Sequence, residues 1–307
     1  MSTQNEALTI VIPVYNRADA VADTLASVAE QTWRPLHVVL VDNNSTDGTA
    51  AVLARWKREV EAPGLRVSVI SEPTPGACAA RNAGLALADT AWTMFFDSDD
   101  IMHPDHVERA MNFIAAHPDA DIVGWPIAVN YVSGKCALKQ FIVSDIVYNN
   151  IIHSSFATQR YMARTELFRR VGGWRKGLAM ADDVELGNRL LATRPKVYKV
   201  GDRPTVDAYE SEVSISNSPD RLPSLVMAME AIAENLPQRR RHWADLETII
   251  LAANWTREES EAAPVVEPIM ARTPLPRRWL WRLFYRWTLS GGRGAGRLYG
   301  LIKWTGI

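Results

Sequence analysis

The chain has 307 residues, 47% of them hydrophobic, which suits one large domain or a domain with a helical appendage and excludes a disordered polymer. Its net charge of -1 hides an asymmetry, because residues 272–307 carry eight cations and no acid, leaving the remainder at -9. An acidic body of that kind argues against nucleic acid as a partner, and two distant cysteines, Cys78 and Cys136, exclude a disulfide-built secreted fold.

Four short runs, 8–14, 36–41, 65–70 and 92–96, are β-branched or aromatic and end in polar residues, the pattern of buried strands. Helical spacing of Ala, Leu and Val fills the segments between them, 18–31, 49–61 and 76–88. Strand and helix thus alternate through the first hundred residues, which predicts an α/β fold with a mainly parallel sheet, helices on both faces and ligands at the carboxyl ends of its strands. Further on, the sequence predicts a helix over 104–116, an extended stretch over 121–143 with a turn at Ser133-Gly134, and a helix over 184–193, with mixed strands on the acceptor side of a cleft. Helices are expected again at 222–235 and 243–253, then a Pro-rich linker over 262–276.

Three of the early strands end in groups suited to a nucleotide. Pro13, Val14, Tyr15 and Asn16 follow the first; Asp42 opens a polar loop to Gly48 after the second; Asp97, Ser98, Asp99 and Asp100 follow the fourth. A carboxylate such as Asp42 can accept from the imide N–H of uracil, and Tyr15 can pack on a base or ribose, although Asp and Asn are also ordinary turn residues. The carboxylates of 97–100 would repel one another without a cation or donors. They suit Mg²⁺ or Mn²⁺, which takes one or two protein carboxylates and completes its shell with phosphate and water, or else an acidic entry to a helix starting at Pro104.

The ordered motifs VIPVYN, VDNNSTDGT, GACAARNAGLALA, FFDSDD and VGGWRKGLAMADDVELGNRLL make residues 8–216 resemble glycosyltransferase family 2, the inverting enzymes of the GT-A fold. The resemblance implies a Rossmann-like catalytic domain over 1–220, with a helical extension and linker over 221–271 and a basic aromatic tail over 272–307. It also implies that Asp42 contacts uracil, Asp97 the ribose or sugar and Asp99 the metal, with Arg81 near the nucleotide. Pro13, Tyr15, Asn16 and Ser98 complete that nucleotide-sugar set. Asp183 matches the catalytic base, and Asp182 stands one methylene short of the glutamate usual before it. Trp174, after Gly172-Gly173, is expected as an aromatic wall beside the acceptor. Where many relatives carry Arg and His, this chain has Glu210, Ser211 and Glu212, so Glu212 is either a substitute ligand or solvated.

The activity so implied is metal-dependent transfer from a nucleotide-diphosphate sugar, UDP being the expected nucleotide, to a hydroxyl of a saccharide or lipid-linked acceptor in surface polysaccharide or lipopolysaccharide synthesis. The rival readings are a catalytically silent, membrane-associated sensor of nucleotide-sugar and a sugar nucleotidyltransferase. The latter class resembles a glycine-rich first loop, and residues 11–16 contain no glycine. His103 and His106, three apart, are expected at the surface, and the glycines from Gly291 to Gly296 as a flexible hinge. With no leader-like start and no apolar run of ~18 residues, the expected location is the cytoplasm. A helix over 279–289 would gather Trp279, Leu280, Leu283, Phe284 and Trp287 on one arc, with Arg278, Arg282 and Arg286 opposite. Such a helix suits the anionic inner face of the plasma membrane, or packs on the protein's own acidic body.

Overall fold

A computed structural model of the protein describes residues 6–210, 221–236, 241–256 and 258–291. Its first half alternates β1 (Leu8–Val14), α1 (Val21–Ala29), β2 (Leu36–Asp42), α2 (Thr49–Val60), β3 (Leu65–Ser71), α3 (Ala77–Ala86) and β4 (Trp92–Phe95). The four strands pair in parallel in the order β3-β2-β1-β4. With neighbours on both edges and helices on both faces, β1 and β2 are mostly apolar, and their buried Thr9 and His37 find partners in Thr90 and in Asp89 and Ser68. Ile10 and Ile12 face α1 and α2, whereas Val11 faces α3, so one strand feeds two cores. Pro13 is tolerated in a central strand because pairing with β4 stops at Val11–Phe95, so no ladder bond needs its missing N–H.

The second half brings β5 (Ile101–Met102), α4 (His106–Ala116), β6 (Ile122–Gly124), β7 (Ile127–Asn130), β8 (Cys136–Lys139), α5 (Ile146–His153), β9 (Tyr161–Arg164), α6 (Thr165–Arg170), α7 (Asp182–Ala192), β10 (Val197–Lys199) and β11 (Val206–Tyr209). β9 inserts antiparallel between β4 and β6, and β10 closes that edge of the seven-stranded sheet. A second sheet, β5-β11-β7-β8, lies beyond β4. The expected extended stretch over 121–143 is thus three strands divided between two sheets. The turn at Gly134 joins β7 to β8, with positive φ at that glycine.

Helices α8 (Arg221–Asn235), α9 (Arg241–Thr256), α10 (Glu259–Arg272) and α11 (Leu275–Leu289) form a separate apolar core that packs on α5 and α7. Where proline content predicts a linker, the chain is helical: α10 runs through Pro264 and Pro268. Each proline removes one helix hydrogen bond, but burial of Ala262, Val266, Ile269 and Met270 against α9 and α11 offsets that loss. Among the described residues no helix is long and apolar enough to cross a membrane.

Candidate active site

The loops after β1 and β2 are tied to each other. Asn16, with φ of +48°, donates its N–H to Ser45 Oγ at 3.0 Å and accepts from Thr46 N at 2.8 Å. Arg17 N donates to Thr49 Oγ1, and Ala18 N to Asp47 Oδ2. These bonds tie residues 16–18 to the loop after β2; a turn closed by Ala20 N and Val21 N on the Arg17 carbonyl follows, and α1 proper starts at Val21. Asp42, at the tip of β2, is buried and its Oδ1 accepts from Ser45 N at 3.3 Å. Asn43 grips the loop after β3, donating to Glu72 and Thr74 carbonyls and accepting from Gly76 N. Tyr15, 59% exposed, stands at the rim.

Arg81, on α3, joins the two halves of the site. Its Nη2 donates to Asp97 Oδ1 and its Nη1 to Asp182 Oδ2, both at 2.8 Å, while the guanidinium lies 4.4 Å over the Trp174 ring. Burial opposes its charge, but Asp97 and Asp182 outweigh that and hold its pKa above the ordinary value. Cys78 Sγ also reaches Asp182 Oδ2, at 3.2 Å, and burial together with that carboxylate keeps it a thiol.

Asp182 and Asp183 open α7. Ala181 before them takes a left-handed φ of +50°, uncommon for a residue with a side chain and found where surrounding contacts enforce it. Ala181 packs on the apolar core shared with α8, and its carbonyl accepts from Glu185 N at 2.9 Å. Glu185, fully buried, receives Arg189 through Nε at 2.8 Å and Nη2 at 2.6 Å, and Arg189 Nη1 donates to the carbonyls of Val171 and Gly173. Asn82 clasps Trp174 by its backbone N–H and C=O, both at 2.8 Å. Asp183 accepts from Val184 N at 2.7 Å; burial first, then the Asp182 charge, pushes its pKa up to about 7.

At the end of β4, burial and the Asp97 charge raise the pKa of Asp99, with Arg17 Nη2 at 3.3 Å from its Oδ2 opposing the shift. Asp100, buried and accepting from Tyr209 N, is pushed up to about 9 by burial and its two acidic neighbours. Through Arg81, which binds Asp97 Oδ1 and Asp182 Oδ2, the acids after β4 and those opening α7 are joined by one guanidinium. Among the described residues no three His, Cys, Asp or Glu side chains converge as a self-sufficient metal cage. A hard cation needing one or two protein carboxylates plus substrate phosphate fits this donor set, since Asp99 stands beside the carboxylate of Asp97 with only Arg17, at 3.3 Å, to offset it.

Two expectations are corrected. Trp174 cannot wall an acceptor: it is 1% exposed, edge-on to Phe95, and serves as the platform beneath Arg81. His106 is not at the surface but 2% exposed, bonded through Nδ1 to Thr205 Oγ1 at 2.7 Å and packed edge-on to Trp125, and burial lowers its pKa to about 3. His103 pairs with Asp207. Glu212 and residues 292–296 lie outside the described residues.

The model of glycosyl transferase family 2 matches residues 9–177, more than half of the chain. The chain belongs to glycosyl transferase family 2. It is 39% identical over 142 residues to the succinoglycan biosynthesis protein ExoW of Rhizobium meliloti, which is 45% of this chain and 42% of that protein. It is 32% identical over 115 residues to the putative teichuronic acid biosynthesis glycosyltransferase TuaG of Bacillus subtilis, 37% of this chain and 44% of that one. Both matches therefore span less than half of the relative's length. Among solved structures, residues 1-349 of TarS from S. aureus superpose with a TM-score of 0.64 over 94% of this chain and 89% of that chain, at 19% identity. A mannosyltransferase of Pyrobaculum calidifontis, in complex with GDP-Man and Mn2+, gives 0.57 over 93% and 85%, at 20% identity. This likeness establishes the GT-A fold, including the helical C-terminal region.

Within this family 2 site, sequence reasoning missed Arg17 and Arg160. Arg17 directly follows the VIPVYN motif, a usable signal. Arg160 carries none: buried near Asp183, it donates to the carbonyls of His153 and Ser154, and burial lowers its pKa to about 10. Only the turn before β9 brings it there.

Proposed function

We propose that this protein is an inverting glycosyltransferase that moves a sugar from a uridine diphosphate donor to a hydroxyl of a saccharide or lipid-linked acceptor, in surface polysaccharide synthesis on the cytoplasmic side of the membrane. The observation that carries the reading is the Asp97–Arg81–Asp182 chain, which links the acids after β4 to a partly buried aspartate, Asp183, poised near neutral pKa.

In this reading Asp42 accepts from the uracil imide, Tyr15 lies against the base or ribose, and Asp97 contacts the ribose or sugar. Asp99 would hold Mn²⁺ or Mg²⁺, which supplies Lewis-acid stabilisation of the charge on the departing diphosphate. Asp183 takes the acceptor hydroxyl's proton as that oxygen bonds to the anomeric carbon. The carbon's bond to the phosphate oxygen breaks on the opposite face, and the nucleoside diphosphate leaves with the electron pair, so the configuration inverts. A base with pKa near the working pH combines availability with driving force. Arg81 binds Asp182, and the Asp182 carboxylate is one cause, after burial, of the raised pKa that makes Asp183 a base.

The test is a panel of nucleotide-sugars read by thermal shift and by nucleoside diphosphate release, with and without Mn²⁺. A donor at 100 times its dissociation constant adds about 2.7 kcal/mol of stability. Binding without turnover on any acceptor would favour the silent sensor; no binding at all would overturn the reading.

A further inference from the structure

Helix α11 is docked on the protein through Trp281, Phe284, Tyr285 and Thr288, which bury against α9 and α10. At ~100° per residue, Leu275, Trp279, Leu283 and Trp287 form an arc of about 120° whose centre lies about 170° from that face. They are 64%, 74%, 62% and 42% exposed. The expected single apolar arc is thus divided: Phe284 turns inward, and the two exposed tryptophans and two leucines form a second stripe facing solvent. Arg282 and Arg286 run along one flank of it, with Arg278 on the same flank donating to the Thr273 and Ala271 carbonyls, and the helix contains no acid. Arg286 is exposed, and Arg282 reaches Glu267 only at 3.9 Å.

We propose that this outer stripe of α11 lays the enzyme on an anionic bilayer surface, with Trp279 and Trp287 at headgroup depth and the arginine row on lipid phosphates. The chemistry is that of an interfacial helix: aromatics with an apolar body and a polar edge, beside cations that match anionic headgroups. Residues 292–307 add Arg293, Arg297 and Lys303 and no acid. A second copy of the chain is a poorer occupant. Four partly exposed side chains offer on the order of 500 Å², at ~150–250 Å² for each large side chain, below the ~800 Å² per partner of a stable protein pair. The inference deepens the transferase reading, on which it rests only for its purpose, namely bringing the site to a lipid-linked acceptor.

Ending the chain before α11 would also uncover α9 and α10, so the stripe is best substituted in place. The full chain and a Trp279→Ala/Leu283→Ala/Trp287→Ala variant are co-sedimented with phosphatidylglycerol vesicles and with pure phosphatidylcholine vesicles, at low and high salt. UDP thermal shift and solution mass are recorded for each. The native chain is expected to pellet with the anionic vesicles and to be released by salt, and the variant's vesicle affinity to fall at least about tenfold with its UDP response intact. Equal pelleting of both proteins, no pelleting of the native chain, or a dimer that the substitutions dissolve would each overturn the proposal. Vesicle binding without any nucleotide response would leave the lipid face standing and remove the transferase reading instead.

Discussion

Arg81 can satisfy two carboxylates and a ring at once because its guanidinium is a planar fork. An ammonium is a compact point charge, so Arg81→Lys should retain part of the fold but lose one of the two aspartate contacts, seen as a drop in turnover larger than any rise in KM. Arg81→Met leaves Asp97 and Asp182 without their shared cation and should cost about 3–5 kcal/mol in urea unfolding. Asp183→Asn should lower turnover by about 10²- to 10⁴-fold with donor affinity nearly unchanged, as measured by UDP-sugar titration; equal losses of both would remove Asp183 as the base. Only its ionised form accepts a proton, and its pKa is pushed up to about 7, so kcat/KM should climb as pH rises through about 7 and fall below it. Asp182→Asn removes the neighbouring charge that raises this pKa, so the acid limb should move to lower pH. A limb that stays in place would disconnect Asp182 from the base.

At the scale of elements, the site is set by how closely α3 approaches the sheet and α7 approaches α5. Gly84 permits the first, since a Cβ there would collide with Val11 Cγ1 and press Val41 Cγ2 at 3.2 Å. Gly84→Ala should therefore destabilise by about 1–3 kcal/mol, read from the urea midpoint. Gly187 permits the second: a Cβ on α7 would sit 2.6 Å from Phe156 Cβ and 2.8 Å from the Asn150 amide nitrogen, which donates to Val184 O. The motif glycines are thus packing residues for the helices that carry Arg81 and Asp183. The strands and helices of the first hundred residues were legible because each has its own period and turn signals. Helix α5, β9, β10 and β11 were not, because runs of three to eight residues take their form from neighbours: β9 is a strand because β4 and β6 flank it.

For the whole molecule, the acids after β4, the opening of α7 and the helical extension act as one assembly, since α8 packs on α7 and places its core directly behind Val184. A donor that spans the two sides should stabilise the entire chain in a single transition. If Asp99 holds the cation, Mn²⁺ should enlarge the thermal shift given by UDP, chelation should reverse that increment, and Asp99→Asn should abolish it while a shift from uridine alone persists. An undiminished increment in Asp99→Asn would place the ion elsewhere.

The order of strands and helices in the first hundred residues, the strand-end loops and the family were set by the linear chain, because hydrophobic periodicity and turn chemistry act over a few residues and appear in any window that contains them. Tertiary packing decided which side chains meet: that Arg81 spans Asp97 and Asp182, that Trp174 is a floor and not a wall, that His106 is interior, and that α11 buries Trp281 while leaving Trp279 outside. Those outcomes depend on which surfaces lie opposite each residue. Burial, charge pairing and pKa are properties of such neighbours, brought together from distant parts of the sequence.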